Sequence, residues 1–121
     1  MKKKTLELND TELNEWCAKA QWWELNKYKS VWMLCTSENK VITYTVDEYQ
    51  PTADTVEGKA QCLQLMDKFK MSVDFEEGEI VCKKEGSNSY VTTTFITYDN
   101  HYLKAACLTV VLSVFGDEVE V

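Results

Sequence analysis

The chain has 121 residues, 20 acids against 13 bases and a formal charge of −7, a length that suits one domain burying about 65% of the surface its unfolded form exposes. Every base is a lysine, so bidentate readout of guanine or phosphate by arginine is excluded, and a net-acidic surface repels a nucleic-acid backbone. No apolar run approaches the length of a membrane span, so neither nucleic acid nor a membrane is an expected partner.

Met1-Lys-Lys-Lys4 looks like the basic start of a signal peptide, but Thr5-Leu-Glu-Leu-Asn-Asp10 follows in place of an apolar core. The protein is therefore expected to stay inside the cell. Leu8-Asn9-Asp10-Thr11-Glu12-Leu13 predicts a helix entrance. Asn9 caps, Glu12 reaches back to close a capping box, and Leu8 staples onto Leu13. Leu13, Trp16, Cys17 and Ala20 form one helix face. Trp22 and Trp23 follow, and adjacent tryptophans cannot share a face, so one packs inward and the other lies at the rim.

Lys29 to Ser37 carries the continuous apolar run Val31 to Cys35, short enough for a buried strand, Glu38-Asn39-Lys40 is a turn, and Val41 to Val46 is β-branched and aromatic, which predicts a hairpin. Tyr49-Gln-Pro-Thr-Ala-Asp54 then opens the clearest amphipathic helix, and the rest of the chain is expected to pack around this unit. Pro51 ends the preceding strand, Thr52 is read as the N-cap, and Asp54 suits the positive end of the helix dipole. Val56, Ala60, Leu63, Met66 or Leu65, and Phe69 mark the expected buried face of a helix of roughly 17 residues ending near Lys70. Gly58 inside it should cost about 1 kcal/mol relative to alanine unless a close neighbour requires it.

Met71 to Phe75 and Ile80 to Cys82 predict two short strands around the Glu76–Glu79 turn. Glu85-Gly-Ser-Asn-Ser89 is a loop, and Tyr90 to Tyr98 reads as a central strand, half apolar on both faces. Asp99 or Asn100 caps a last helix, carrying Leu103, Ala106, Cys107, Val110, Val111 and Val114, that is apolar over most of its circumference and stops at Gly116. Asp117 to Val121 is an acidic, weakly extended tail. The order αββαβββα predicts an α+β fold, an antiparallel sheet of about five strands with helices packed on it. The five cysteines, Cys17, Cys35, Cys62, Cys82 and Cys107, are scattered within apolar segments. They suit small buried hydrophobes in a reducing compartment, and with His101 as the sole histidine no metal or cofactor is expected.

A tryptophan-bearing first helix (Leu13 to Trp23), the Tyr49-Gln-Pro-Thr-Ala-Asp54 turn opening a helix, and the closing stretch from Leu103 to Phe115-Gly-Asp-Glu118 together resemble the "ABA sandwich" family. These are small, mostly uncharacterised phage and prophage proteins. The likeness covers most of the chain in order, and the Tyr49–Asp54 turn and the closing Leu103–Glu118 stretch carry its specificity. The chain departs from the family pattern in a long Lys83–Tyr98 hairpin and in lacking a proline before its last helix. The resemblance implies a phage origin, a helix–sheet–helix layering and residence in the cytoplasm of an infected bacterial host. It implies no particular activity.

Two groups of residues are candidates for a site. Trp22, Trp23, Tyr49, Thr52, Asp54 and His101 could form a ligand pocket near a helix start, where amides hold anions such as a nucleotide phosphate. The same residues are also accounted for as turn, cap and core. Asp74, Glu76, Glu77, Glu79 and Glu85 flank a hairpin and could present a nucleic-acid-like surface to a basic partner groove, or simply keep a loop solvated. His101 between Asp99 and Tyr102 lacks a nucleophile at any recognised spacing, so no enzyme activity and no catalytic residue is expected. The leading expectation is a phage accessory protein that counters host defence by non-catalytic binding, as an acidic inhibitor of a host defence protein. Sequestration of a nucleotide immune signal is the alternative, and a structural or regulatory phage component, including one that assembles with itself, is a third.

Overall fold

A computed structural model of the chain describes residues 1–35, 38–76, 79–84, 90–94 and 102–120, with the backbone alone at Cys35, 74–76, 79–81, 83–84 and 90–94. In chain order the elements are β1 (Lys2–Lys4), α1 (Asp10–Ala20), β2 (Glu24–Leu25), β3 (Val31–Cys35), β4 (Lys40–Thr45), α2 (Val56–Lys68), β5 (Met71–Glu76), β6 (Glu79–Lys84), β7 (Tyr90–Thr94), α3 (Tyr102–Phe115) and β8 (Glu118–Glu120). The α+β class and the antiparallel pairing are as expected. Among the described residues the strands divide into β2–β3–β4, β5–β6–β7 and β1–β8, rather than forming one sheet of about five. Each three-stranded sheet is a local meander of sequence neighbours, and α2 with its entry turn separates the two.

Among the described residues α3, rather than the Tyr49–Lys70 unit, touches the most other elements. It lies against β5, β6 and β7 on one side and against α1 and α2 on the other, so a helix forms the middle layer. Every residue from Ala105 to Val111 is buried, Thr109 included. That polar side chain is satisfied by donating to the carbonyls of Ala105 (2.8 Å) and Cys82 (3.3 Å). The helix stops at Gly116, which takes φ +82° and donates its amide to Leu112, as a left-handed C′ glycine does. The expected caps Asp99 and Asn100 lie outside the described residues.

The acidic tail is a paired strand. Lys2 stands opposite Glu120 and Lys4 opposite Glu118, Val119 is buried, and Thr5 is buried while donating its hydroxyl to Gly116 O. Opposite charges across an antiparallel pair favour this register. Among the described residues the central position in the second meander belongs to β6, with β5 and β7 on either side of it; residues 95–98 of the expected Tyr90–Tyr98 strand lie outside the described residues.

At the start of α1 both halves of the capping box are present. Asn9 Oδ1 accepts from the Glu12 amide (2.8 Å) and Glu12 Oε1 from the Asn9 amide (3.1 Å). Leu8, Leu13, Trp16, Cys17 and Ala20 are all buried. Lys3 Nζ donates to Glu12 at 2.6 Å, and this contact, then the Asn9 amide, holds the Glu12 carboxyl below the ordinary carboxylate range. A lowered folded-state pKa adds stability that is complete above the unfolded value of about 4.3 and is lost as pH falls through the lowered value. The stability difference between wild type and Glu12→Gln, read by urea unfolding, is expected at pH 7 and should close on acidification.

Of the five cysteines, Cys17, Cys62, Cys82 and Cys107 are buried and unbridged, as small hydrophobes; the Cys35 side chain lies outside the described residues. A hydrogen bond with Cys17 raises the Cys107 thiol, and a bond to Cys107 together with burial raises Cys62. Both stay neutral, so neither is a reactive thiolate.

Candidate functional site

Among the described residues a cleft of about 530 Å³ lies between the outer face of α1, the β2–β3 region and the 46–53 turn. Its shape depends on how firmly that turn is held. Gln61 Oε1 accepts from the Gln50 amide (2.7 Å) and its Nε2 donates to Glu48 O (2.8 Å), so one buried side-chain amide does the work of a missing backbone ladder. Thr45 donates to the Glu48 carboxylate, and the Ala53 amide to Gln50 O. Asn14 Oδ1 accepts from both the amide (3.2 Å) and the hydroxyl (2.9 Å) of Thr52.

Thr52 is therefore not the cap of α2. It is 2% exposed and committed to α1. The cap is Thr55, whose hydroxyl accepts from the Gly58 amide at 2.9 Å. Of the expected inner face of α2, Leu65 is buried and Met66 and Phe69 pack half-buried against the core. The first half differs: Gly58, Gln61 and Cys62 face inward, whereas Val56 and Leu63 are 82% and 66% exposed and Ala60 is exposed with them. Gln61 turns inward because its amide completes the hydrogen bonds of the turn, and Gly58 because nothing larger fits there.

Tyr49 forms part of the wall. Its ring meets Trp23 edge-on (centroids 4.9 Å) and Tyr44 at a tilt (5.3 Å), and its hydroxyl accepts from Gln21 Nε2 at 2.6 Å. Burial, and then the nearby Cys17 and Cys107 thiols, push its pKa up. The phenol stays neutral and offers no general base.

The tryptophan pair divides as expected. Trp22 and Trp23 close α1 by donating to the carbonyls of Lys19 and Ala18, which places Trp22 in the left-handed position at φ 62°. It stands 73% exposed, while Trp23 is half-buried against the tyrosines. A left-handed tryptophan carries strain of about 1–2 kcal/mol, a cost that its own meagre burial does not repay.

The structure thus brings Tyr49 and Thr52 into one cleft and sets Trp23 behind Tyr49. Trp22 is exposed, and Asp54 is a surface group paired with Lys59 at 3.0 Å. His101, Glu77 and Glu85 lie outside the described residues. Of the hairpin acids, Glu76 pairs with Glu79 across the β5–β6 register and Asp74 with Val81. The charged cleft residues, none anticipated from sequence, are Asp10, Glu15, Asp47 and Lys29. The first two look like ordinary solvated helix charges, and only the placement of the 46–53 turn against α1 turns them into a lining.

The cleft is acidic. Asp10, Glu15 and Asp47 line it against one ammonium, Lys29. Lys19 approaches Glu15 at 3.5 Å at the surface, where an ion pair contributes little and is readily exchanged, and the half-buried Lys104 approaches the exposed Asp10 at 3.2 Å. Across the Asp47–Gln50 ridge a second concavity of about 450 Å³ is lined by Asp47, Glu48 and Glu57 and by no lysine. A phosphate would meet carboxylates on either side, whereas a cationic side chain would be drawn in.

Among the described residues no group of three His, Cys, Asp or Glu side chains could hold a metal ion. No helix there is long and apolar enough to cross a membrane. A comparison of the chain with protein-family models and with curated proteins finds no match.

Proposed function

We propose that this is a non-catalytic binding protein that engages a basic surface of another protein through the cleft between α1 and the 46–53 turn. In the setting that the resemblance implies, it is a phage accessory protein and the partner is a host defence protein whose basic site it occupies. The observation that carries the reading is the lining: three carboxylates against one ammonium, in walls held by the hydrogen bonds of Asn14, Gln61 and Thr52. A rigid acidic concavity loses little entropy on binding and steers a basic partner over distance. The exposed, left-handed Trp22 is a residue type that anchors interfaces. The same lining argues against sequestration of a nucleotide.

The test is recovery of tagged protein from defence-active bacterial cells, followed by analysis of co-purified proteins and of small molecules released on denaturation. Wild type should bring down a stoichiometric host protein. The triple variant Asp10→Lys, Glu15→Lys, Asp47→Lys should lose it, with affinity down about 100-fold or more. A released nucleotide, or a partner retained by the triple variant, would overturn the reading. Recovery chiefly in virions would favour a structural role instead.

A further inference from the structure

Trp32 is 2% exposed. Its carbonyl accepts from the Thr43 hydroxyl, but among the described residues its indole N–H donates to no acceptor. A buried donor without an acceptor is destabilising, and native folds keep few of them. The side chain borders the cleft between α1 and the 46–53 turn, where its cross-strand neighbour Leu25, with Val46 and Tyr49, makes up an apolar part of the lining. Neighbouring polar groups are already engaged: Asn14 Oδ1 accepts twice from Thr52, and the Tyr49 hydroxyl accepts from Gln21. Of the carboxylates that line the cleft, Asp10 and Glu15 meet Lys104 and Lys19, whereas Asp47 pairs with no cation among the described residues. We propose that the cleft takes a basic residue together with its own main chain, the cation at Asp47, the aliphatic stem along Leu25 and Val46, and a peptide carbonyl accepting from the indole N–H of Trp32.

This placement rests on the cationic reading of the cleft and adds that a peptide, rather than positive charge alone, is recognised there. Each feature of the lining calls for a different part of one ligand. The unpaired carboxylate calls for a cation. The apolar lining favours a methylene stem, which lysine lays along such surfaces while its charged head stays in water. The indole N–H calls for an acceptor, and that acceptor must be neutral, because Asp10, Glu15 and Asp47 repel an anion. A main-chain carbonyl is a neutral acceptor, and in a lysine residue it is joined to the cation through just such a stem. A polyamine has the cation and the stem without the acceptor. A nucleotide has acceptors and the wrong charge. A site that leaves a buried donor unpaired discriminates against the ligand lacking its partner. The cleft, at about 530 Å³, is within the size range of sites for small ligands.

The test is an NMR titration of the isotope-labelled, full-length protein with two probes that each carry a single cation. One is Nα-acetyllysine N-methylamide, and the other is n-pentylamine, which has a cation and a stem but no carbonyl. Both should shift the amides of residues 46–53. The lysine derivative should bind about tenfold more tightly, and it alone should move the Trp32 indole proton downfield, as a new hydrogen bond does. That signal is read in the wild-type protein, so it does not depend on a variant folding. Trp32→Phe should bind the two probes equally, and Asp47→Asn should weaken both. Equal affinities in the wild type with the indole proton unmoved, or a preference that Trp32→Phe retains, would overturn the peptide assignment and leave the cationic reading standing. No shift at residues 46–53 with either probe would overturn both.

Discussion

Gly58→Ala is expected to lower stability by about 2 kcal/mol, within the range for overpacking a closed site, although helix propensity alone would credit alanine with about 1 kcal/mol. The two effects have opposite signs, so the experiment separates them. A methyl at position 58 would stand 2.3 Å from Ala53 O and 2.8 Å from Gln50 O. Both obstacles are backbone atoms of a turn held by Gln61, Thr52 and Asn14, and neither can swing aside. Urea unfolding should show a lower midpoint with an unchanged slope. Because the displaced turn is a wall of the cleft, partner binding should weaken too. A variant more stable than wild type would mean that the turn yields easily, and the rigid wall would go with it.

The second large effect is expected at Leu108→Ala, a loss of about 3 kcal/mol and at least several degrees in Tm. Leu108 is 0% exposed on a helix enclosed by a sheet on one side and two helices on the other, so the cavity has few ways to collapse. Leu63→Ala is the control. Both leucines sit in apolar-patterned helices, but Leu63 is 66% exposed, and in dilute solution its truncation should stay within about 0.5 kcal/mol. Equal losses at the two positions would contradict the phase of α2.

Where local chemistry alone decides an element, the residues announce it. Asn9 and Glu12 specify the start of α1, Gly116 the end of α3, and the β-branched run from Val41 the second arm of a hairpin. The failures have physical causes. Thr52 and Thr55 both precede α2, and the choice between them depends on Asn14, a residue of another helix. The stripe Val56–Ala60–Leu63 has the same period as the true inner face, and periodicity cannot show that a glutamine, Gln61, belongs inside because its amide completes a turn. The pairing of Lys2–Lys4 with Glu118–Glu120 joins short segments at the two ends of the chain, with charge complementarity as the only trace. The candidate site was the least legible part. Tyr49 and Thr52 stand out in the sequence, but Asp10, Glu15, Lys29 and Asp47 become neighbours only through the fold.

The central claim is that the cleft between α1 and the 46–53 turn receives cationic side chains. Its most direct test is an amide-resolved NMR titration of the full-length protein with a short lysine-rich peptide, and in parallel with a nucleoside triphosphate. The peptide should shift amides of residues 10–15 and 46–53 first and most, with affinity falling as salt rises, and the triphosphate should leave them in place. Shifts spread evenly over the acidic surface, or a triphosphate that moves the cleft amides while the peptide does not, would contradict it.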